Sequence, residues 1–155
     1  MPKIDIARAV VRTTTNYPQH LQHAVRGREK RVLGNAAGLT QFGVNMTTLK
    51  PGAASALRHW HEQEDEFVYI LEGEVVLVEE NGEVILKAGD AAGFKAGIPN
   101  AHQLINKTRR DAVYLEIGSR SPAEIAHYPD DDLAMDRDAD GKMIFTRKTG
   151  EHFES

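Results

Sequence analysis

The chain has no cysteine, which excludes disulfides, zinc-finger thiolates, iron–sulfur clusters and cysteine nucleophiles. Any metal must therefore be held by histidine and carboxylate. No apolar run approaches the length of a membrane span, so no membrane association is expected. There is no excess of positive charge either. The formal net charge is −4, leaving no basic field to draw nucleic acid. Nucleotide-binding glycine loops are missing too, because the glycines punctuate short strands and never precede a helix. Ser55, Ser119 and Ser121 lack the context of a nucleophile elbow. The opening Met-Pro-Lys-Ile-Asp-Ile lacks the charged-then-apolar pattern of a signal peptide. A cytoplasmic setting is expected, although the lack of cysteine suits either redox compartment.

What remains reads as β-structure. At 155 residues the chain is long enough for one domain with a real core. Residues 1–38 have weak periodicity and read as an N-terminal arm, 39–118 as a barrel core, and 119–155 as a C-terminal extension packed on it. Phe42, Val44 and Met46 alternate with polar or small neighbours, as in a half-buried strand. Strands are expected at Leu57–His61, Glu66–Leu71, Val75–Glu80, His102–Asn106, Ala112–Ile117 and Lys142–Arg147. Asn81-Gly82 between two apolar runs predicts a hairpin with positive φ at both central positions. Short strands, frequent turns and no long helix argue an all-β antiparallel sandwich or small barrel.

The chemically informative stretch is His59-Trp60-His61-Glu62-Gln63-Glu64-Asp65-Glu66. Successive strand residues point to opposite faces, so His59 and His61 share one face and Trp60 takes the other, for packing between sheets or at an interface. Two imidazoles with a nearby carboxylate make a large part of a metal site. Downstream, Gly89 leads through Lys95-x-Gly97 and four more residues to His102, then Asn106.

The segments from Gly52 to Gly73 and from Gly89 to Asn106 resemble the two motifs of the cupin superfamily. In that family the first motif supplies His, His and Glu, and the second a third His. The resemblance thus implies a jelly-roll, or double-stranded β-helix, with metal ligands His59, His61, Glu66 and His102. Ala37–Asn45, Tyr128-Pro129, Asp131–Leu133 and Phe145–Gly150 extend it to stand-alone bacterial single-domain members. Two departures concern loop shape. Six residues rather than five separate Gly52 from His59, and Lys95 stands where proline is usual. The residues agree with the resemblance on physical grounds, since barrel strands distant in sequence can aim side chains at one centre. Three imidazoles and a carboxylate suit one divalent ion such as Fe, Mn, Ni, Co, Cu or Zn. The site would carry a charge of about +1, favouring an anionic or polyoxygenated small molecule.

The expected function is a metal-dependent enzyme on such a molecule, of dioxygenase, isomerase or lyase type. The alternatives are a non-catalytic, metal-anchored binding or sensing module and a purely structural ion. Four protein ligands leave positions open on a five- or six-coordinate ion, which weighs against the structural role. No general acid or base is identifiable. Gln41, Asn45 and Gln103 are candidates for inward positions, and Tyr69 and Asn106 for groups behind the ligands. A homodimer is expected, with Ile4 and Ile6 alternating in an arm that could pair with a partner's sheet.

Other signals read as structural. Arg26, Arg28, Lys30 and Arg31 suggest a solvated strand edge. Asp130-Asp131-Asp132 reads as a loop, and Asp136-x-Asp138-x-Asp140-Gly141 as an aspartate-stabilised turn rather than a calcium loop, because Arg147 stands where the bidentate glutamate belongs. Glu62, Glu64 and Asp65 suggest a solvated turn, with Glu64 within reach of the metal's neighbourhood. His20, His23, His127 and His152 read as structural or exposed.

Overall fold

The computed structural model describes residues 2–154. In chain order the strands are β1 (Val11–Arg12), β2 (Arg28–Val32), β3 (Phe42–Leu49), β4 (Trp60–His61), β5 (Glu66–Glu72), β6 (Glu74–Glu79), β7 (Gly82–Lys87), β8 (Ala91–Phe94), β9 (Gln103–Ile105), β10 (Ala112–Ser119), β11 (Ala126–Tyr128), β12 (Leu133–Arg137) and β13 (Met143–Thr146). Helical segments are short, and no helix among the described residues is long and apolar enough to cross a membrane.

Every strand pairing is antiparallel. One sheet runs β1-β2-β3-β10-β5-β8. The other layer is built from β7-β6-β9 and β13-β12-β11-β4, which meet at isolated bridges Ala54↔Ile105 and His59↔His102. This is the all-β jelly-roll arrangement. Alternating inward residues from both layers fill one core: Leu49, Val68, Ile70 and Tyr114 from the first, Val75, Leu77, Leu86 and Leu104 from the second. Each such aliphatic side chain contributes about 1.5–3 kcal/mol on burial. A second cluster joins Tyr17 and Val25 of the N-terminal segment to Ala126, Tyr128, Leu133 and Met135 of the C-terminal sheet. Between these two cores a cavity remains.

Several boundaries differ from the sequence reading. The segment expected as an arm supplies β1 and β2, with β2 inside the sheet between β1 and β3. Of the basic cluster, Arg28 and Lys30 do not form a solvated edge but face inward and line the cavity, while Arg26 is exposed. Ile6 opens a short 3-10 turn (Ile6–Arg8), so the Ile4/Ile6 alternation forms no strand. The hairpin between β6 and β7 exists, but Glu79 pairs with Gly82, which places Glu80-Asn81 in the loop. Gly82 alone takes positive φ there, at 133°. Asp138 Oδ1 accepts from the backbone N–H of Asp140 and Lys142, tying the β12–β13 turn. Asp130 accepts two bonds from Arg58, whose guanidinium also reaches Glu80 at 2.8 Å. That arginine stitches the two parts of the second layer, and it holds the Asp130 carboxyl below the usual range.

Candidate metal centre

His59 and His102 form an antiparallel bridge in which each backbone N–H donates to the other's carbonyl, at 3.2 and 2.9 Å. Directly opposed residues share a sheet face, so both imidazoles project inward with ring centroids 4.9 Å apart. His61 follows two residues on, 4.8 Å from the His59 ring. Glu66 enters from the facing sheet as the first residue of β5, paired with Gly118 and Phe94. Gly118 leaves its inner face bare beside the glutamate: a Cβ there would sit 3.9 Å from Glu66 Cγ. Phe94 stacks flat on the His102 ring, with centroids 3.5 Å apart.

Three imidazole Nε2 atoms surround the Glu66 carboxylate. They stand 2.6 Å (His102), 3.1 Å (His61) and 3.8 Å (His59) from its oxygens. Cis ligands about 2.1 Å from a common ion lie about 3 Å apart; the ligand atoms of His59, His61 and Glu66 lie within 4.8 Å of one another, and His102 reaches the same carboxylate. The contact to His102 is a direct hydrogen bond. The His59 ring is oriented from behind: its Nδ1 lies 2.7 Å from Leu57 O, which can only accept, so Nδ1 carries a proton and Nε2 is the nitrogen turned toward Glu66. His61 Nδ1 faces Glu124 Oε1 at 3.3 Å, and His61 Nε2 is buried with no hydrogen bond. That nitrogen faces Glu66 Oε1 at 3.1 Å without hydrogen-bond geometry, as two ligands of one ion would face each other.

The electrostatics are strongly coupled. Burial alone would lower the His61 pKa, but Glu124 and Glu66 override it and raise it to about 10. Burial would raise Glu66, yet the three imidazoles hold it well below the carboxylate range. His102 is pushed down by burial, partly offset by Glu66.

Glu124 carries no signal in the sequence, yet it is fully buried and accepts from Glu62 N and Gln63 N as well as facing His61. It fixes both the His61 ring and the loop behind it. Glu64 is not a solvated turn residue. It lines the cavity and accepts from Arg137 Nη2 at 3.2 Å and Ser121 N at 2.9 Å. Asp65 does cap a turn, accepting from Ala96 N.

Other candidates fall away from the centre. Asn106 ties a turn by donating to Leu49 O and Arg110 O. Tyr69 is exposed on the outer face of β5. Gln103 donates to Ala56 O, and Gln41 is exposed. Only Asn45 of the three amide candidates reaches the cavity. Trp60 faces outward as expected and stacks on His127, its cross-strand neighbour, at 4.3 Å. His127 in turn pairs with Glu62 at 2.7 Å.

The cavity holds about 470 Å³. His59, His61, Glu66 and His102 open onto it, and its floor is the inner face of the six-stranded sheet. Glu116 sits on that floor diagonal to Glu66, since Glu116 pairs with Val68 and Gly118 with Glu66. Its Oε1 accepts from Lys30 Nζ at 2.9 Å and Asn45 Nδ2 at 3.5 Å.

A family profile described as a cupin domain matches residues 45–118, which include all four of these ligand-type residues. Among curated proteins none matches the chain. Solved structures do. A sugar phosphate isomerase of the cupin superfamily from Silicibacter pomeroyi is 45% identical over 99% of this chain and 98% of its own, with a TM-score of 0.93. A protein from Acidithiobacillus ferrooxidans, provisionally described as a sugar phosphate isomerase, is 26% identical over 97% of this chain and 93% of its own, with a TM-score of 0.79. The polyketide cyclase RemF from Streptomyces resistomycificus shares the fold, at 17% identity over 77% of this chain and 79% of its own, with a TM-score of 0.63. With a full-length relative at 45% identity and a cupin-domain match across the strands that carry the histidines, this chain belongs to the cupin superfamily.

Proposed function

We propose that this chain is a metal-dependent isomerase of small phosphorylated sugars. The observation that carries the reading is the ring of three imidazole Nε2 atoms around Glu66, opening into a cavity of about 470 Å³. His59, His61, Glu66 and His102 would hold one divalent ion. When bound, that ion supplies Lewis-acid polarisation of a carbonyl and its neighbouring hydroxyl. The description of the full-length relative supports the substrate class.

The residues of the chain supply the proton traffic. Interconverting an aldose and a ketose breaks the C–H bond beside the carbonyl, forms a C–H bond at the former carbonyl carbon and moves one hydroxyl proton between the two oxygens. It needs no oxidant. Glu116 is the carboxylate placed for this task. Its Oε1 is engaged by Lys30 and Asn45, and its Oε2 has no hydrogen-bond partner among the described residues. That free oxygen can take the proton from one carbon and return it to the next.

Incubating the metal-loaded protein with aldose and ketose phosphates in D₂O tests the reading by NMR. Interconversion with deuterium entering at the carbon beside the carbonyl is expected. Glu116→Gln should lower kcat about 10²- to 10⁴-fold, the range of a lost general base, with metal content unchanged. Absence of interconversion in every sugar phosphate tried defeats the assignment.

Glu124→Gln provides a separate check on the centre. The amide presents a donor to the N–H of Gln63 and weakens the orientation of His61. Metal affinity should fall about 10- to 100-fold, as for other groups that position a ligand, measured by competition against a chromophoric chelator. An unchanged affinity would remove Glu124 from the metal centre.

A further inference from the structure

Arg28 is the unexplained charge of this molecule. It is only 8% exposed, and burying a cation without a counter-ion is costly. Two other cations lining the cavity are neutralised, Lys30 by Glu116 at 2.9 Å and Arg137 by Glu64 at 3.2 Å, and a third, Arg12, is exposed to solvent at its rim. Arg28 has no carboxylate partner among the described residues. Its hydrogen bonds go to two backbone carbonyls, Ser55 O from Nη1 at 2.7 Å and Thr14 O from Nη2 at 3.4 Å. A guanidinium has five N–H donors, so most remain free, and Nε is buried with no partner. Tyr114, whose cross-strand neighbour is Thr47, lines the same cavity.

The placement relative to the metal centre is also defined. Tyr114 and Tyr128 each lie within the electrostatic reach of both the Arg28 cation and the Glu66 carboxylate. Both tyrosines line the cavity. Across the sheet, Arg28 pairs with Leu49, and Leu49 with Ala112, one inward position from Tyr114. The cavity thus holds both a cluster of ligand-type residues and an unneutralised, anchored guanidinium.

We infer that Arg28 is the anion subsite of this cavity, binding the phosphate of a phosphorylated substrate whose oxygenated end lies at the histidines. The inference rests on reading the cavity as the substrate site and adds the residue that selects for the phosphate. The planar guanidinium fork matches two phosphate oxygens, and a phosphate dianion supplies the missing counter-charge. Anchoring of Nη1 by Ser55 fixes the fork in advance, so little side-chain freedom is lost on binding.

Calorimetric titration of the metal-loaded protein with a hexose 6-phosphate, the unphosphorylated hexose and inorganic phosphate tests this. The wild type should bind the hexose phosphate at least about tenfold more tightly than the hexose. Arg28→Met, which keeps length but removes the charge, should weaken hexose-phosphate binding about 10- to 100-fold, the scale of a lost charge-assisted hydrogen-bond pair. Binding of the unphosphorylated hexose should not change. Arg28→Lys, which keeps the charge but not the fork, should fall between the two and covers the case in which the methionine variant fails to fold. Equal hexose-phosphate affinity in the wild type and a folded Arg28 variant overturns the inference, as does a wild type indifferent to the phosphate. These are binding readouts, so an absence of turnover would count against the isomerase reading and leave Arg28 standing. Turnover that is insensitive to Arg28 would do the reverse.

Discussion

Alanine at both His61 and His102 is expected to empty the proposed metal centre, taking metal content from about one ion per chain to less than about a tenth. The two residues come from different parts of the second layer, and each places an Nε2 against Glu66, at 3.1 and 2.6 Å. Their loss leaves one imidazole and one carboxylate, too few to hold a divalent ion against water. Mass-spectrometric metal analysis of untagged protein reads the result, with His127→Ala as the control, because that ring stacks on Trp60 outside the cavity. Thermal unfolding gives a second readout. An ion present at about a thousandfold its Kd stabilises the native state by about 4 kcal/mol. A chelator should therefore lower the wild-type Tm by about 8–16 °C at this chain length, and the double variant should not respond. Full metal content in a folded double variant would sink the ligand assignment.

The four residues named for that centre were legible because two independent patterns constrain them. Strand alternation puts His59 and His61 on one face, and the second motif fixes the spacing to His102. The jelly-roll layering was legible from short strands and turn residues. The groups that surround the ligands were not. Glu124 lies in a non-repeating stretch, Ser121–Ile125, and its value comes from the loop that folds it against Glu62 and Gln63. Arg28 and Lys30 read as a solvated edge because alternating charges normally face water. They face a cavity because β2 lies inside the sheet beside β3 and distant segments close over its inner face, with Ser55 and Thr14 meeting Arg28. Glu116 carries no distinguishing mark in the sequence, and its register against Val68 places it diagonal to Glu66. Sequence pattern fixes which face a residue takes. It does not say whether that face meets solvent, core or a polar cavity, because that depends on what the distant chain lays over it.

Gly73→Ala should be the most destabilising single-methyl change at a turn of this fold. Gly73 joins β5 to β6 with φ at +74°, and a Cβ there would stand 2.7 Å from Asp111 O and 3.1 Å from Ala112 Cα. Both obstacles are backbone, so no side chain can swing away. The left-handed conformation costs about 1–2 kcal/mol for alanine, and overpacking adds about 1–3 kcal/mol. Together these should lower the Tm by roughly 4–20 °C. Gly38→Ala separates the two causes: its φ is +69° and nothing lies within 4 Å of the added carbon. It should lose only the conformational part, about 2–8 °C. Equal melting temperatures for the two variants, followed by circular dichroism, would remove the steric argument. The clash also has a functional reach. The ladder between β10 and β5 shifts register beside this turn, with Val113 opposite Glu72 and Tyr114 opposite Ile70. Pushing Asp111 and Ala112 outward therefore displaces Tyr114, which lines the cavity together with Arg28 and Glu66. Gly73→Ala should then weaken hexose-phosphate binding while leaving metal content intact, because none of the four proposed ligands lies on β10.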